Sequence, residues 1–227
     1  TFGRYLSTEI VSKLLDKPDG LDMGGQLQTV TILMADIRGF TTISESLPPQ
    51  KVVKVLNNYL GTMAEIIMAH DGTVDEFIGD AILALFGAPV AKADDSARAI
   101  ACALAMQAEM DAINARNIGD GLPSIDIGIG INTGEGVAGN IGSKKRAKYG
   151  VVGHAVNVTS RIEDQTLPGE ILVAKSTLNA CSLACKLGRE IELRPKGVSE
   201  IIDVSAVESI DTTSSGQSSQ FDSAGEN

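Results

Sequence analysis

Tryptophan is absent, aromatic residues make up only 4% of the 227-residue chain, and histidine occurs twice, at His70 and His154. Two isolated histidines are too few for an imidazole-based zinc site. The three cysteines, Cys102, Cys181 and Cys185, form no Cys-x-x-Cys pair and cannot all pair with one another, which excludes a disulfide framework and leads us to expect a reducing, cytoplasmic setting. No apolar run reaches the roughly 18 to 20 residues that cross a bilayer. Residues 1–10 have neither the basic start nor the apolar stretch of a signal peptide, so no membrane contact is expected of this segment. Basic charge is also in short supply: 19 Lys and Arg against 29 Asp and Glu leave a formal net charge of −10. Such a surface repels phosphate backbones and argues against nucleic acid as the main partner, while leaving room for a small anion in a local basic pocket.

What is present suffices for one substantial core, because 43% of the residues are hydrophobic. Ile10, Val11, Leu14 and Leu15 fall at helical spacing before Pro18 and Gly20, so residues 1–20 read as a lead-in helix and its stop. Residues 21–210 form the expected folded domain. Residues 211–227, mostly Ser, Gly, Thr and Gln, cannot repay the entropy of ordering and read as a disordered tail. The chain opens on Thr1 rather than Met, so upstream regulatory domains of a longer protein are expected.

Within the dense middle, residues 30–35 read as a buried strand that ends at Asp36. Pro48 and Pro49 introduce a helix with Val52, Leu56, Leu60, Met63 and Ile67 on its apolar face. Residues 73–78 and 81–86 read as strands joined by the tight turn Gly79-Asp80. A second helix spans about 94–114, with Ala97, Ile100, Ala101, Leu104 and Ala108 on its apolar side. Ile125, Ile127, Ile129 and Ile131 alternate with Asp126, Gly128, Gly130 and Asn132, which predicts a strand buried on one face, and residues 133–136 read as a turn into a strand at 137–141. A short strand near 149–152, a helix near 154–164 and strands near 171 and 201–207 complete the reading. The order predicts an α+β protein, a ferredoxin-like α/β sandwich of one sheet with helices on one face.

Asp36 ends a strand and Asp80 sits in a hairpin turn that could lie beside it. Either alone could be a helix cap or a turn residue. Two carboxylates at one sheet edge suit divalent cations, since magnesium takes few protein carboxylates plus substrate phosphates. Gly39, Phe40 and Thr41 open a helix whose free N–H groups could face a phosphate. Asn157 and Arg161 are four residues apart on one helical face, where an amide and a guanidinium could position a ribose and stabilise charge on phosphoryl oxygens. A solvated Arg161 paired with Glu163 or Asp164 is the plainer alternative.

Three segments carry a resemblance. Asp36-Ile37-Arg38-Gly39-Phe40-Thr41, Phe77-Ile78-Gly79-Asp80-Ala81 and Val156-Asn157-Val158-Thr159-Ser160-Arg161-Ile162 resemble the signatures of class III nucleotide cyclases. The resemblance implies that Asp36 and Asp80, assisted by the Ile37 carbonyl, hold two divalent cations, Mg²⁺ or Mn²⁺, and that Asn157 and Arg161 act in the transition state. It implies a homodimer with shared active sites, one chain giving the metal ligands and the other the base and transition-state residues. Lys196 falls where the family places a lysine on the triphosphate.

Adenylyl members of the family usually carry Lys and then Thr or Asp at the two base-selecting positions, whereas this chain has Glu76 and Gly150. A carboxylate can accept from both N1 and N2 of guanine but faces the N1 lone pair of adenine, and buried unpaired groups cost roughly 1 to 3 kcal/mol each. GTP is the expected substrate and the chain reads as a guanylyl cyclase. At Gly150 a backbone N–H or a water would have to donate to guanine O6. The alternatives are an adenylyl cyclase and an inactive cyclase-like dimerisation module; a diguanylate cyclase lacks support because its Gly-Gly-Asp-Glu-Phe turn is absent.

Overall fold

The computed structural model describes residues 23–143, 146–194 and 201–211. The expected lead-in helix at 1–20, Lys196 and residues 212–227 of the expected tail lie outside the described residues. The elements run β1 (Gly24–Ile37), α1 (Phe40–Ser46), α2 (Pro49–Ala69), β2 (Thr73–Ile78), β3 (Ala81–Phe86), α3 (Asp95–Gly119), β4 (Ile127–Ser143), β5 (Arg146–Val152), α4 (His154–Glu163), β6 (Ile171–Ala174), α5 (Lys175–Ala180), β7 (Ala184–Leu193) and β8 (Ile202–Asp211). They form one eight-stranded sheet in the order β2-β3-β1-β4-β6-β8-β7, with β5 paired to the far part of β4. The first four strands with α2 and α3 are a βαββαβ unit whose sheet order is that of a ferredoxin-like core.

The sheet is covered on both faces rather than one. Ile127, Ile129 and Ile131 join the core made with α2 and α3, which buries Met63, Ile67, Met106 and Ile113. The intervening Gly128 and Gly130 point the other way, Gly128 against Thr166 and Arg38 and Gly130 against α4: a Cβ built on Gly130 would stand 2.6 Å from the Glu163 backbone nitrogen. The alternation at 125–132 therefore records large side chains under one helical layer and a close helix approach on the opposite face. The expected turn at 133–136 does not occur. β4 runs unbroken through it, because Val30, Thr29 and Gln28 of β1 pair with Gly134, Glu135 and Gly136 throughout. The helix faces are also re-centred. α2 buries Val55, Tyr59, Met63 and Ile67, with Leu56 and Leu60 at the margin. α3 buries Ala97, Ile100, Cys102, Ala103, Met106 and Met110, while Ala108 is exposed.

α4 is held in place by polar as well as apolar contacts. Ala155, Val158 and Ile162 are buried, and Asn132 of β4 donates to the Ala155 carbonyl at 3.1 Å while accepting from Ser176 at 3.0 Å. No described helix is long and apolar enough to cross a membrane.

Candidate active site

The antiparallel register of β1 and β3 pairs Ala35 with Ile82, which brings the end of β1 level with the turn that opens β3. Gly79, with φ 66°, makes that turn in a conformation other residues rarely adopt. Asp36 and Asp80 consequently meet at one end of the central strands, inside the strand order rather than at a sheet edge, and share a hydrogen bond. Burial pushes the Asp80 carboxyl up to about 7, the hydrogen bond and charge of Asp36 push the same way, and N–H groups of Asp80 and Ile37 oppose. Beneath the pair lies Tyr59, fully buried, its hydroxyl without a hydrogen-bond partner among the described residues. Burial raises its ionisation far above the phenol range, and the charges of Asp36 and Asp80 add to this.

Two carboxyls converging over an apolar floor repel each other unless a proton or a cation lies between them, so this corner fits a divalent cation. No group of three His, Cys, Asp or Glu side chains that could hold a metal forms among the described residues. Backbone carbonyls, water or substrate phosphates would complete the coordination, the pattern magnesium favours. Asp36 does not cap the following helix. Gly39 is the N-cap of α1, in the left-handed region at φ 68°, and Phe40 and Thr41 form the first turn beyond it.

Arg38 lies between this corner and α4. Its guanidinium is 3.4 Å from Asp36 and forms a close ion pair with the buried Glu163. Sequence reasoning missed this pair, although Arg38 sits beside Asp36 and Glu163 beside Arg161 in the segments already singled out.

The remaining residues sit apart from the carboxylate corner. Glu76 is exposed on β2, with Lys148 of β5 donating to its Oε2 at 2.7 Å. Gly150 is buried on β5, directly against Asp75. Asn157 and Arg161 share the exposed face of α4, where Arg161 is 54% exposed and pairs with Asp164 at 3.2 Å. A cleft of about 680 Å³ lies along β4, the start of α4 and the start of α5, lined by Asn132, Glu135, His154 and Ser176, and includes neither Asp36 nor Asp80. Leu27, Val137 and Val152, opposite one another across β1, β4 and β5, form an exposed apolar stripe on its wall.

A ferredoxin-like core with a carboxylate corner at the end of β1, bearing the three signature segments, defines a class III nucleotide cyclase catalytic domain. The chain belongs to the adenylate and guanylate cyclase catalytic domain family, whose model matches residues 24–204. Among solved structures it is similar to the guanylyl cyclase Cya2, with 48% identity and a TM-score of 0.82 over 85% of this chain and 98% of that one. It is also similar to the adenylyl cyclase CyaB from P. aeruginosa, with 32% identity and a TM-score of 0.76 over 82% of this chain and 97% of that one. Adenylate cyclase 1 of Rhizobium meliloti (strain 1021) is 34% identical over 95% of this chain. The chain spans 33% of that relative's own length.

Proposed function

We propose that this domain is a guanylyl cyclase, forming 3′,5′-cyclic GMP and pyrophosphate from GTP at sites shared by two identical chains. The observation that carries the reading is Glu76. Its carboxylate is exposed where the family selects the base, and Lys148 occupies only Oε2. A carboxylate has about four acceptor sites on two oxygens, so Oε1 remains for the N1 and N2 donors of guanine. The 48% identity to a guanylyl cyclase supports the same choice.

In the reaction the ribose 3′-oxygen forms a bond to the α-phosphorus as the bond to pyrophosphate breaks. Asp36 and Asp80, with the Ile37 carbonyl, would hold two divalent cations, which when bound activate the attacking oxygen and neutralise the triphosphate. N–H groups at Gly39, Phe40 and Thr41, with Lys196, would take the β- and γ-phosphates. Asn157 would orient the ribose and Arg161 would stabilise charge developing on the α-phosphoryl oxygens. The exposure of Asn157 and Arg161 and the apolar stripe Leu27, Val137 and Val152 support a second chain as the partner that completes each site.

A second reading has its own support. Lys148 sets a cation beside Glu76, and adenylyl members carry a lysine at that position; relatives named adenylate cyclases are 34% and 35% identical. Side-by-side turnover of GTP and ATP by the purified domain decides. The expected GTP preference in kcat/KM is about 100-fold or more, and Glu76→Lys should reduce it sharply by placing a cation against two donors. A wild type that favours ATP sinks the base assignment.

A further inference from the structure

Position 150 has no side chain, yet the space beside it is filled. Val74 of β2 pairs with Ala84 and Glu76 with Leu83, so Asp75 is the extra residue of a β-bulge. Bulges re-aim side chains, and this one turns Asp75 toward β5. The Asp75 side chain is only 2% exposed, and a Cβ built on Gly150 would stand 2.5 Å from its Oδ1. A side chain at 150 and the carboxyl of Asp75 in its present place exclude each other. Oδ1 has no hydrogen-bond partner among the described residues, a costly state for a buried polar atom and one a ligand could relieve.

We propose that Asp75 is the second base-selecting residue, standing in for the missing side chain at Gly150 and donating a hydrogen bond from its carboxyl to guanine O6. The proposal rests on the guanylyl reading above. The groups facing Asp75 are Lys148, 3.7 Å from Oδ2, the adjacent Glu76, and Tyr149 of β5. Burial pushes the Asp75 carboxyl up to about 6, Lys148 opposing and Glu76 adding. With Oδ2 facing the Lys148 donor, the proton of the neutral form belongs on Oδ1, which makes it a donor. Guanine O6 accepts from such a group; the N6 amino group of adenine presents another donor to it.

The test measures kcat/KM for GTP, ATP and inosine triphosphate, which keeps O6 and N1–H but lacks the 2-amino group. In Asp75→Ala, GTP and inosine triphosphate should fall together, by about tenfold or more relative to ATP, whereas Asp75→Asn, whose amide donates from the same place, should hold the GTP to ATP ratio within about threefold. Glu76→Ala should instead penalise GTP more than inosine triphosphate. Poor folding lowers all three nucleotides alike and does not imitate this pattern. Asp75→Ser, too short to reach the base, gives the same comparison if the alanine variant is poorly folded. Gly150→Ser should lose activity, and Asp75→Ala/Gly150→Ser should regain part of it. An unchanged ratio in Asp75→Ala of a GTP-preferring wild type, or a Gly150→Ser variant as active as wild type, overturns the assignment of Asp75. A wild type that prefers ATP brings down the guanylyl reading instead.

Discussion

The carboxylate corner and the exposed face of α4 are built on opposite plans. Asp36 and Asp80 answer each other within one chain, through a shared hydrogen bond, N–H groups of Ile37 and Asp80, and a buried floor at Tyr59. Asn157 and Arg161 face outward, and the ion pair of Arg161 with Asp164 is about half exposed on both sides. Such a pair is worth little in water, so Arg161 can exchange it for a phosphate at small cost. One region is finished by folding, while the other is presented for something still to arrive. Arg38 ties them into one frame by reaching both Asp36 and Glu163. A rigid chain that carries a complete half-site and an outward half-site suits a two-fold dimer in which each half meets the other's complement.

The strongest way to break this contrast is to disable each region in a separate chain. Asp80→Ala removes a proposed cation ligand and should abolish metal-dependent turnover without unfolding the protein, since it removes no core packing. Arg161→Ala should cost about 100- to 1,000-fold in kcat, the usual scale for one donor to developing charge. Mixed together, the two inert proteins should recover about one quarter of wild-type activity: about half the dimers are mixed, and one of their two sites inherits both intact halves. No recovery despite confirmed mixed dimers would mean that each chain builds its own site.

A smaller effect tests how firmly the outward face is mounted. Gly130→Ala places a methyl group 2.6 Å from the Glu163 nitrogen and about as close to its Cα. Overpacking of this kind costs about 1 to 3 kcal/mol, which urea denaturation would register as a lower midpoint at unchanged slope. Because Asn157 and Arg161 ride on the same helix, kcat should fall as well, while cation affinity at Asp36 and Asp80 should change less. Unaltered stability would show that α4 does not dock on β4 as closely as described.

The meeting of Asp36 and Asp80 was the easier feature to foresee. A strand that stops at Asp36 and a Gly79-Asp80 hairpin are local signals, and only the pairing of β1 with β3 had to be supplied by the fold. The course of β4 was hidden, because Thr133-Gly134-Glu135-Gly136 has turn chemistry that the long pairing with β1 overrides. The glycines at 128 and 130 looked like the solvent side of an alternating strand; what they record is contact with α4 and with Thr166 just beyond it, both distant in sequence. β7 and α5 gave too little periodicity to be read, their residues being largely exposed or short in run. The role of Asp75 could not be read at all, since nothing in the sequence announces a bulge between Val74 and Glu76.

The smallest expected effect concerns the proton on Asp80 before any cation binds. The Asp80 carboxyl lies at about 7 in the fold and near its ordinary value of 3.8 when unfolded. A folded value above the unfolded one means that the neutral form is favoured by folding. That contribution is present in full below about pH 4 and is lost as pH rises through 7. In chelator, wild type should therefore lose stability between pH 5 and pH 8, and Asp80→Asn, neutral throughout, should lose less. The carboxyl is partly open to solvent, which screens the effect to about 1 kcal/mol or less, or roughly 2 to 4 °C in Tm for a domain of this size. Saturating Mg²⁺ should reverse the order, stabilising wild type at pH 8 and leaving Asp80→Asn nearly unchanged, because a cation replaces the proton only where two carboxylates remain. Parallel melting curves for the two proteins across this range would show that folding does not hold Asp80 neutral, and the carboxylate corner would then be no more finished by folding than the face of α4.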